Sequence, residues 1–244
     1  MNRLHAWPGT EEIRMSAATH TLLHIDSSAR PGLSGRQPHG SHTRRLGARF
    51  VQRWQAGHPG RLVYRDVGAQ PPSPVTGDWI AAAFTPPGLR TPQMRRALAE
   101  SDALVAELQQ ADLVVIGVPM YNFGPPAQLK AWVDNIVRVG LTFGFDRGRA
   151  GVPYWPLLAG QGRQVVLLGS RGDYGYADAQ AGMNHVEPAL RAALGYIGLD
   201  QVHELAVEYD EYGGERLAQS LDRAESAVDR LVDELLAQRA ARVA

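Results

Sequence analysis

Five short apolar runs alternate with amphipathic stretches along this chain, and that alternation limits its fold more than any other feature. The runs lie at 22–26, 62–66, 113–118, 164–169 and 202–207. Each has strand length and is bounded by Gly, Pro or polar residues. Several are apolar throughout, as strands covered on both faces of a parallel sheet are. Between them, 128–139 places Leu129, Trp132, Val133, Ile136 and Val137 on one helical stripe. The stretch 43–56 carries Leu46, Phe50 and Trp54 at four-residue steps, and Val186, Leu190, Leu194 and Ile197 repeat the pattern. A last helix, from about Glu215, has Leu217, Leu221, Val228, Leu231 and Leu235 on a similar stripe. Thr91-Pro92 and Ser101-Asp102 both read as helix starts, a capping side chain followed by a first-turn residue. The Pro- and Gly-rich stretch 69–91 reads as a long surface excursion. Repeated βαβ units predict an α/β fold with a doubly wound five-stranded parallel sheet, strand order 2-1-3-4-5, and helices on both faces. A five-stranded Rossmann variant is the alternative.

Length and charge narrow the possible functions. The 244 residues fit one large domain, expected over 20–240, behind a loose tail at 1–19. Lys plus Arg and Asp plus Glu balance at 25 each, so no electrostatic footprint points to nucleic acid. Cysteine is absent, which removes disulfides and thiolate chemistry and fits a reducing, cytoplasmic setting. No run approaches the ~20 apolar residues of a membrane span. His185 and His203 lack metal-ligand spacing, so no metal is expected, and His24, Asp26 and Asp66 read as structural.

In the assumed strand order, ligands sit beyond the strand C-termini where the order reverses, at the loops after strands one, three and four. The first loop begins Ser27-Ser28 and ends Ser41-His42-Thr43-Arg44 at a helix start, where free N–H groups favour a phosphate. Alone, it reads equally as a phosphate cradle or an exposed serine-rich loop. The second, Pro119-Met120-Tyr121-Asn122-Phe123-Gly124, has no group titrating near neutrality. It offers flat apolar contact and an amide that both donates and accepts, which suits a flat heteroaromatic ring. An aromatic core plug is the alternative. The third, Ser170-Arg171-Gly172-Asp173, combines backbone access with an Arg–Asp pair and reads alone as a tight turn. No G-x-G-x-x-G opens a helix after a strand, and Gly160-Gln161-Gly162 reads as a turn.

Over residues 20–237 the chain resembles the FMN-dependent NADH-azoreductases, which are also NADH:quinone oxidoreductases. The motifs carrying this are Pro119-Met120-Tyr121-Asn122-Phe123 with Gln128-Leu129-Lys130 and Asp134, then Ser170-Arg171-Gly172, and Ser41-His42-Thr43-Arg44-Arg45-Leu46. The resemblance implies a flavodoxin-like fold, tightly bound FMN and a homodimer with sites near its interface. It implies that Ser28, Ser41, His42 and Thr43 bind the phosphate. It assigns Met120, Tyr121, Asn122 and Phe123 to the flavin ring, and Ser170, Arg171, Gly172 and Asp173 to its far edge. It implies ping-pong transfer from NAD(P)H to a quinone or azo compound, with no essential acid or base residue. An electron carrier of flavodoxin type, or a flavin-binding regulatory module, is the alternative. The chain departs from the family in an insertion at 35–40, which makes Ser34-Gly35-Arg36 a competitor for the phosphate. Asp173 stands where the family often has glycine. The segment 152–158 is longer than usual; its Tyr154-Trp155 reads equally as a wall over the substrate or as a hairpin anchor.

Overall fold

The computed structural model describes residues 20–243, and the expected tail at 1–19 lies outside the described residues. The elements are β1 (Thr21–Asp26), α1 (His42–Gly57), β2 (Arg61–Asp66), α2 (Gly77–Phe84), α3 (Pro92–Gln110), β3 (Leu113–Pro119), α4 (Ala127–Ile136), β4 (Phe143–Phe145), β5 (Tyr154–Pro156), β6 (Gln164–Ser170), α5 (Glu187–Ile197), β7 (Val202–Val207) and α6 (Gly214–Val243). The main sheet runs β2-β1-β3-β6-β7, all parallel, which is the expected 2-1-3-4-5 order. The order reverses between β1 and β3, and the two strands pair in register from Leu22↔Leu113 to Asp26↔Gly117.

Period-two alternation sorts the core into two layers. Leu23, Ile25, Val114, Ile116, Val165 and Leu167 face α3, α4 and α5. Leu22, Leu113, Val115, Val166 and Leu168 face α1 and α6, where Leu46, Phe50, Trp54, Val228 and Leu231 meet them. The outer edges of α1 and α6 are joined by ion pairs at four-residue steps, Arg45–Glu225 at 2.6 Å, Arg49–Asp229 at 2.7 Å and Arg53–Asp233 at 2.7 Å. The constant offset shows the two helices running parallel.

Three local expectations fail for physical reasons. Ser101 caps no helix. It is fully buried inside α3, which Thr91 caps, and no Gly or Pro interrupts 93–110. Its hydroxyl donates to the Asn135 carbonyl at 2.6 Å and accepts from Arg138 Nη1 at 2.7 Å, tying α3 to α4. The excursion at 69–91 contains α2, capped by Thr76, which packs Ala82 and Ala83 against Leu98. The α4 pattern also stops short, because Val137 is already the C-cap. Among the described residues, no helix is long and apolar enough to cross a membrane.

Candidate functional site

The loops after β1, β3, β6 and β7 meet at the C-terminal rim and enclose a trough of two adjoining cavities. One is about 280 Å³ and is lined by Ser28, Arg30, Ser41, His42, Tyr121 and Asp210, among others. The second, about 340 Å³, is lined by Phe123, Asp173, Tyr176, Gln180 and Met183. Met120, Asn122, Gly172 and Glu211 line both.

The first cavity is built on a rigid floor. Ser27 donates through its backbone and its hydroxyl to the Gly117 carbonyl at 3.2 and 2.7 Å, and Gln128 donates to the Ser27 carbonyl at 2.9 Å. Ser41 caps α1, accepting from the Arg44 N–H at 3.3 Å. A Cβ at Gly40 would lie 2.3 Å from the Leu33 carbonyl, so only glycine lets the chain turn into that cap. The Thr43 hydroxyl pairs with that of Ser41 at 2.9 Å and is fully buried, behind the lining rather than in it. Ser34, Gly35 and Arg36 line a different depression with Arg45 and Glu225, so they do not meet Ser28 and Tyr121 as Ser41 and His42 do.

Arg44, which follows the cap, turns away from the trough. Its guanidinium donates to both Asp66 oxygens at 2.7 Å, to Asp26 at 3.4 Å and to the Ser28 carbonyl at 2.9 Å. The Asp66 hydrogen bond, opposed by burial and helped by the Asp26 charge, holds Arg44 charged well above its ordinary range. Burial pushes the Asp66 carboxyl up, but hydrogen bonds from Arg44, the Ala69 N–H and Tyr64, with the Arg44 charge, hold it below the usual value.

Above the cap, His42 Nε2 meets Asp210 at 3.2 Å, and Arg30 donates to the other Asp210 oxygen at 2.9 Å. The His42 hydrogen bond lowers the Asp210 carboxyl, burial opposes it, and Arg30 adds to the lowering. The remaining ring nitrogen of His42, Nδ1, is buried without a partner.

The loop after β3 closes on itself. Tyr121 and Gly124 exchange backbone hydrogen bonds at 2.9 and 3.1 Å, with Asn122 and Phe123 at φ +46° and +69° between them. Two left-handed central residues suit a tight hairpin turn, but phenylalanine there is strained by roughly 1–3 kcal/mol. The turn is held from both sides: Tyr121 Oη accepts from the Ala29 N–H at 3.1 Å, and the Phe123 carbonyl accepts from the His185 N–H at 2.9 Å. Such strain, held by outside contacts, aims the Asn122 amide and the Phe123 ring at the trough lip.

Loops after β6 and β7 pair with each other. Tyr209, Asp210 and Glu211 donate their backbone N–H groups to the carbonyls of Asp173, Arg171 and Gly172 at 3.3, 3.2 and 3.0 Å. Arg171 is drawn between Glu187 at 2.5 Å and Glu208 at 3.3 Å. Asp173 accepts from Gln180 at 3.0 Å, the Tyr174 N–H at 2.9 Å and the Tyr212 hydroxyl at 3.1 Å. Those bonds, led by Gln180 and opposed by burial, keep its carboxyl below the usual range.

Of the expected residues, Ser28, Ser41, His42, Met120, Tyr121, Asn122, Phe123, Ser170, Arg171, Gly172 and Asp173 line the trough, while Thr43 supports it from behind. Sequence reasoning missed Arg30, Asp210 and Glu211. Asp210 and Glu211 follow the edge strand β7, away from the switch point, although the run Glu208-Tyr209-Asp210-Glu211-Tyr212 was visible beyond that strand. Tyr154 and Trp155 line neither cavity: Tyr154 packs on Tyr196 of α5, and Trp155 lies over Gly144 beneath Arg149. Among the described residues no cluster suits a metal ion.

Strand order and trough together define a flavodoxin-like α/β protein. The flavodoxin-like fold family matches residues 20–232. FMN-dependent NADH:quinone oxidoreductase 2 of Idiomarina loihiensis is 40% identical, over 88% of this chain and 90% of that one. FMN-dependent NAD(P)H:quinone oxidoreductase 1 of Pseudomonas aeruginosa is 44% identical over 76% of this chain and 88% of its own. Among solved structures, the azoreductase of Bacillus anthracis superposes with a TM-score of 0.76 at 19% identity, covering 88% of this chain and all (100%) of that one. The chain belongs to the FMN-dependent NADH:quinone oxidoreductase family of the flavodoxin-like fold.

Proposed function

We propose that this chain is an FMN-dependent oxidoreductase that carries two electrons from NAD(P)H to quinones or azo compounds. The observation that carries the reading is the polarity of the trough. One end offers the Ser28 and Ser41 hydroxyls, the first turn of α1, Arg30 and a buried unpartnered nitrogen of His42. The other offers a thioether, an aromatic ring, an amide and glycine backbone, from Met120, Phe123, Asn122 and Gly172. A phosphate at the first end and a flat heteroaromatic ring at the second fit this donor set. The quinone-reductase relatives, matched over most of their length, support the same reading.

FMN, when bound, supplies the two-electron exchange. The protein binds and orients. Ser28, Ser41 and the α1 amides hold the phosphate, with Thr43 fixing the Ser41 hydroxyl. Asn122 could donate to and accept from the ring, Met120 and Phe123 would supply flat contact, and Tyr121 would line the cavity beside them. Gly172 and Asp173 would form the far edge of the ring, with Ser170 and Arg171 lining the first cavity next to them. The lining residues would orient substrates against the flavin, a matter of positioning rather than acid–base chemistry. The sequence holds no G-x-G-x-x-G after a strand, and in this reading NAD(P)H and the acceptor would alternate in one place by a ping-pong scheme. The working unit is a cytoplasmic homodimer in this reading. Exposed Phe123 and Met183, which line the second cavity, are apolar surface such a partner would cover.

The purified protein tests this directly. An oxidised-flavin spectrum that NADH bleaches under nitrogen and a quinone restores is expected, with parallel double-reciprocal lines for the two substrates. A colourless protein that takes up no FMN would sink the reading; intersecting lines would remove only the ping-pong scheme. Light scattering reads the dimer.

A further inference from the structure

The two ends of the trough differ in charge as well as in shape. Arg30, His42 and Arg171 all line the first cavity, where carboxylates meet them. The second cavity is lined by two carboxylates, Asp173 and Glu211, and by no lysine, arginine or histidine. Asp173 receives hydrogen bonds only from neutral donors, Gln180, Tyr212 and a backbone N–H. Glu211 is exposed and has no ion-pair partner among the described residues. Of the nearby cations, Arg171 lies over the Tyr176 ring at 5.6 Å and is already claimed by Glu187 and Glu208, and Arg216 acts on Tyr212, which bonds Asp173. Glu211 is also locked to the spot, because its N–H bonds the Gly172 carbonyl and its side chain lies where a Gly172 Cβ would stand.

We propose that Asp173 and Glu211 act as a charge filter at the acceptor end of the trough, admitting uncharged or cationic aromatic acceptors and rejecting those bearing a sulfonate or carboxylate. The inference rests on the functional reading above, since it needs the acceptor to stack at the ring end. Two negative charges with no ion-pair partner at the cavity rim raise the energy of an incoming anion without touching a neutral molecule of the same shape. Specificity here comes from a repulsive element. The two residues are specificity determinants.

The test compares naphthoquinone with its ring-sulfonated derivative, using the FMN-loaded protein. At low salt the wild-type protein is expected to favour the uncharged quinone in kcat/KM by about tenfold or more, with the gap carried by KM and shrinking as salt rises. Glu211→Gln removes one charge from an exposed side chain without hydrogen bonds and is expected to narrow the ratio about threefold. Adding Asp173→Asn, which keeps an acceptor for Gln180 and Tyr212, narrows it further. Equilibrium binding of both compounds to the oxidised protein, by calorimetry, should give the same ordering without turnover. Equal handling of the two quinones by the wild type at low salt, or a ratio untouched by both substitutions, overturns the filter while leaving the quinone reductase intact. Failure to reduce even the uncharged quinone overturns the functional reading and the filter with it.

Discussion

The two rims of the one sheet are both polar, yet they treat their polar groups in opposite ways. At the C-terminal rim, long loops hold hydroxyls, amides and charges around an open trough. At the N-terminal rim, a smaller hollow of about 200 Å³ is lined by His20, Trp54, Asp112, Gln161 and Arg239. There the rings of His20, Trp54 and His58 pack against one another, with centroids 5.2 to 5.9 Å apart. Burial pushes the His20 imidazole down to about 4, against the pull of Asp112 and with help from Arg239 and His58. One rim keeps its charges at a surface a ligand can reach, and the other suppresses charge to pack rings. Parallel strands explain the asymmetry. Every crossover helix starts just past a strand C-terminus, so helix N-termini and connecting loops gather on a single rim.

The sharpest way to break this contrast is to remove the support under the C-terminal rim. Arg44→Met leaves Asp26 and Asp66 without their buried cation, and an orphaned buried charge costs about 3–5 kcal/mol. Chemical denaturation should show a loss of that size, against little or none for Arg53→Ala on the exposed α1–α6 edge. The Asp66 carboxyl, held below its ordinary 3.8, sets the sign with pH. Its contribution is present above 3.8 and is lost as pH falls through the lower folded value. A mild effect of Arg44→Met would mean that the loop after β1 holds its shape without this network.

The opposite rim makes the next prediction. His20 binds its proton at about 4 when folded and at 6.5 when unfolded. The unfolded chain therefore takes up the proton first, and stability falls as pH drops from 6.5 toward about 4. The loss is on the order of 3 kcal/mol across that window. His58, lowered in the same direction, adds to it. A melting-temperature series over pH in His20→Gln should be flatter than wild type. An unchanged slope would show that His20 is not the group being protonated.

Two helix caps separate folding from binding. Ser41→Ala and Thr91→Ala each remove a side-chain acceptor, worth about 1 kcal/mol of stability. Only Ser41 lines the trough, so only its loss should also weaken FMN binding, read by titrating the apoprotein. Equal FMN affinity in the two variants would place the phosphate elsewhere.

The fold was readable because its signals are local and redundant. All five strands of the main sheet lie within a residue or so of the apolar runs, and His42–Gly57 answers to Leu46, Phe50 and Trp54. Ser101 misled because its type suits a cap equally well as a buried hydroxyl bonded to a neighbouring helix. Residues α2 contributes were hidden by the Pro and Gly on either side of it. The lining of the trough was legible where residue types are unusual, as at 119–123. It was illegible where the lining depends on two loops meeting across space, as Asp210 and Glu211 do with Arg171 and Gly172. The strain at Phe123 left no trace beyond the Asn before it, a residue that tolerates φ above zero.

Asp173 carries the smallest expected effect and the finest test of the contrast between rims. Hydrogen bonds keep its carboxyl low, beside the cavity proposed for the ring, where its charge would disfavour negative charge on a reduced flavin. Asp173→Asn preserves the acceptor for Gln180 and Tyr212 while deleting the charge, so it separates electrostatics from loop shape. A carboxylate this solvent-accessible is screened, so the midpoint potential should rise only slightly, and less as salt is added. Asp178→Asn, on the same loop but outside the cavity lining, should leave the potential where it is. A rise of equal size in both variants would trace the effect to the net charge of the loop, and no rise in either would remove Asp173 from the electrostatics of the ring end.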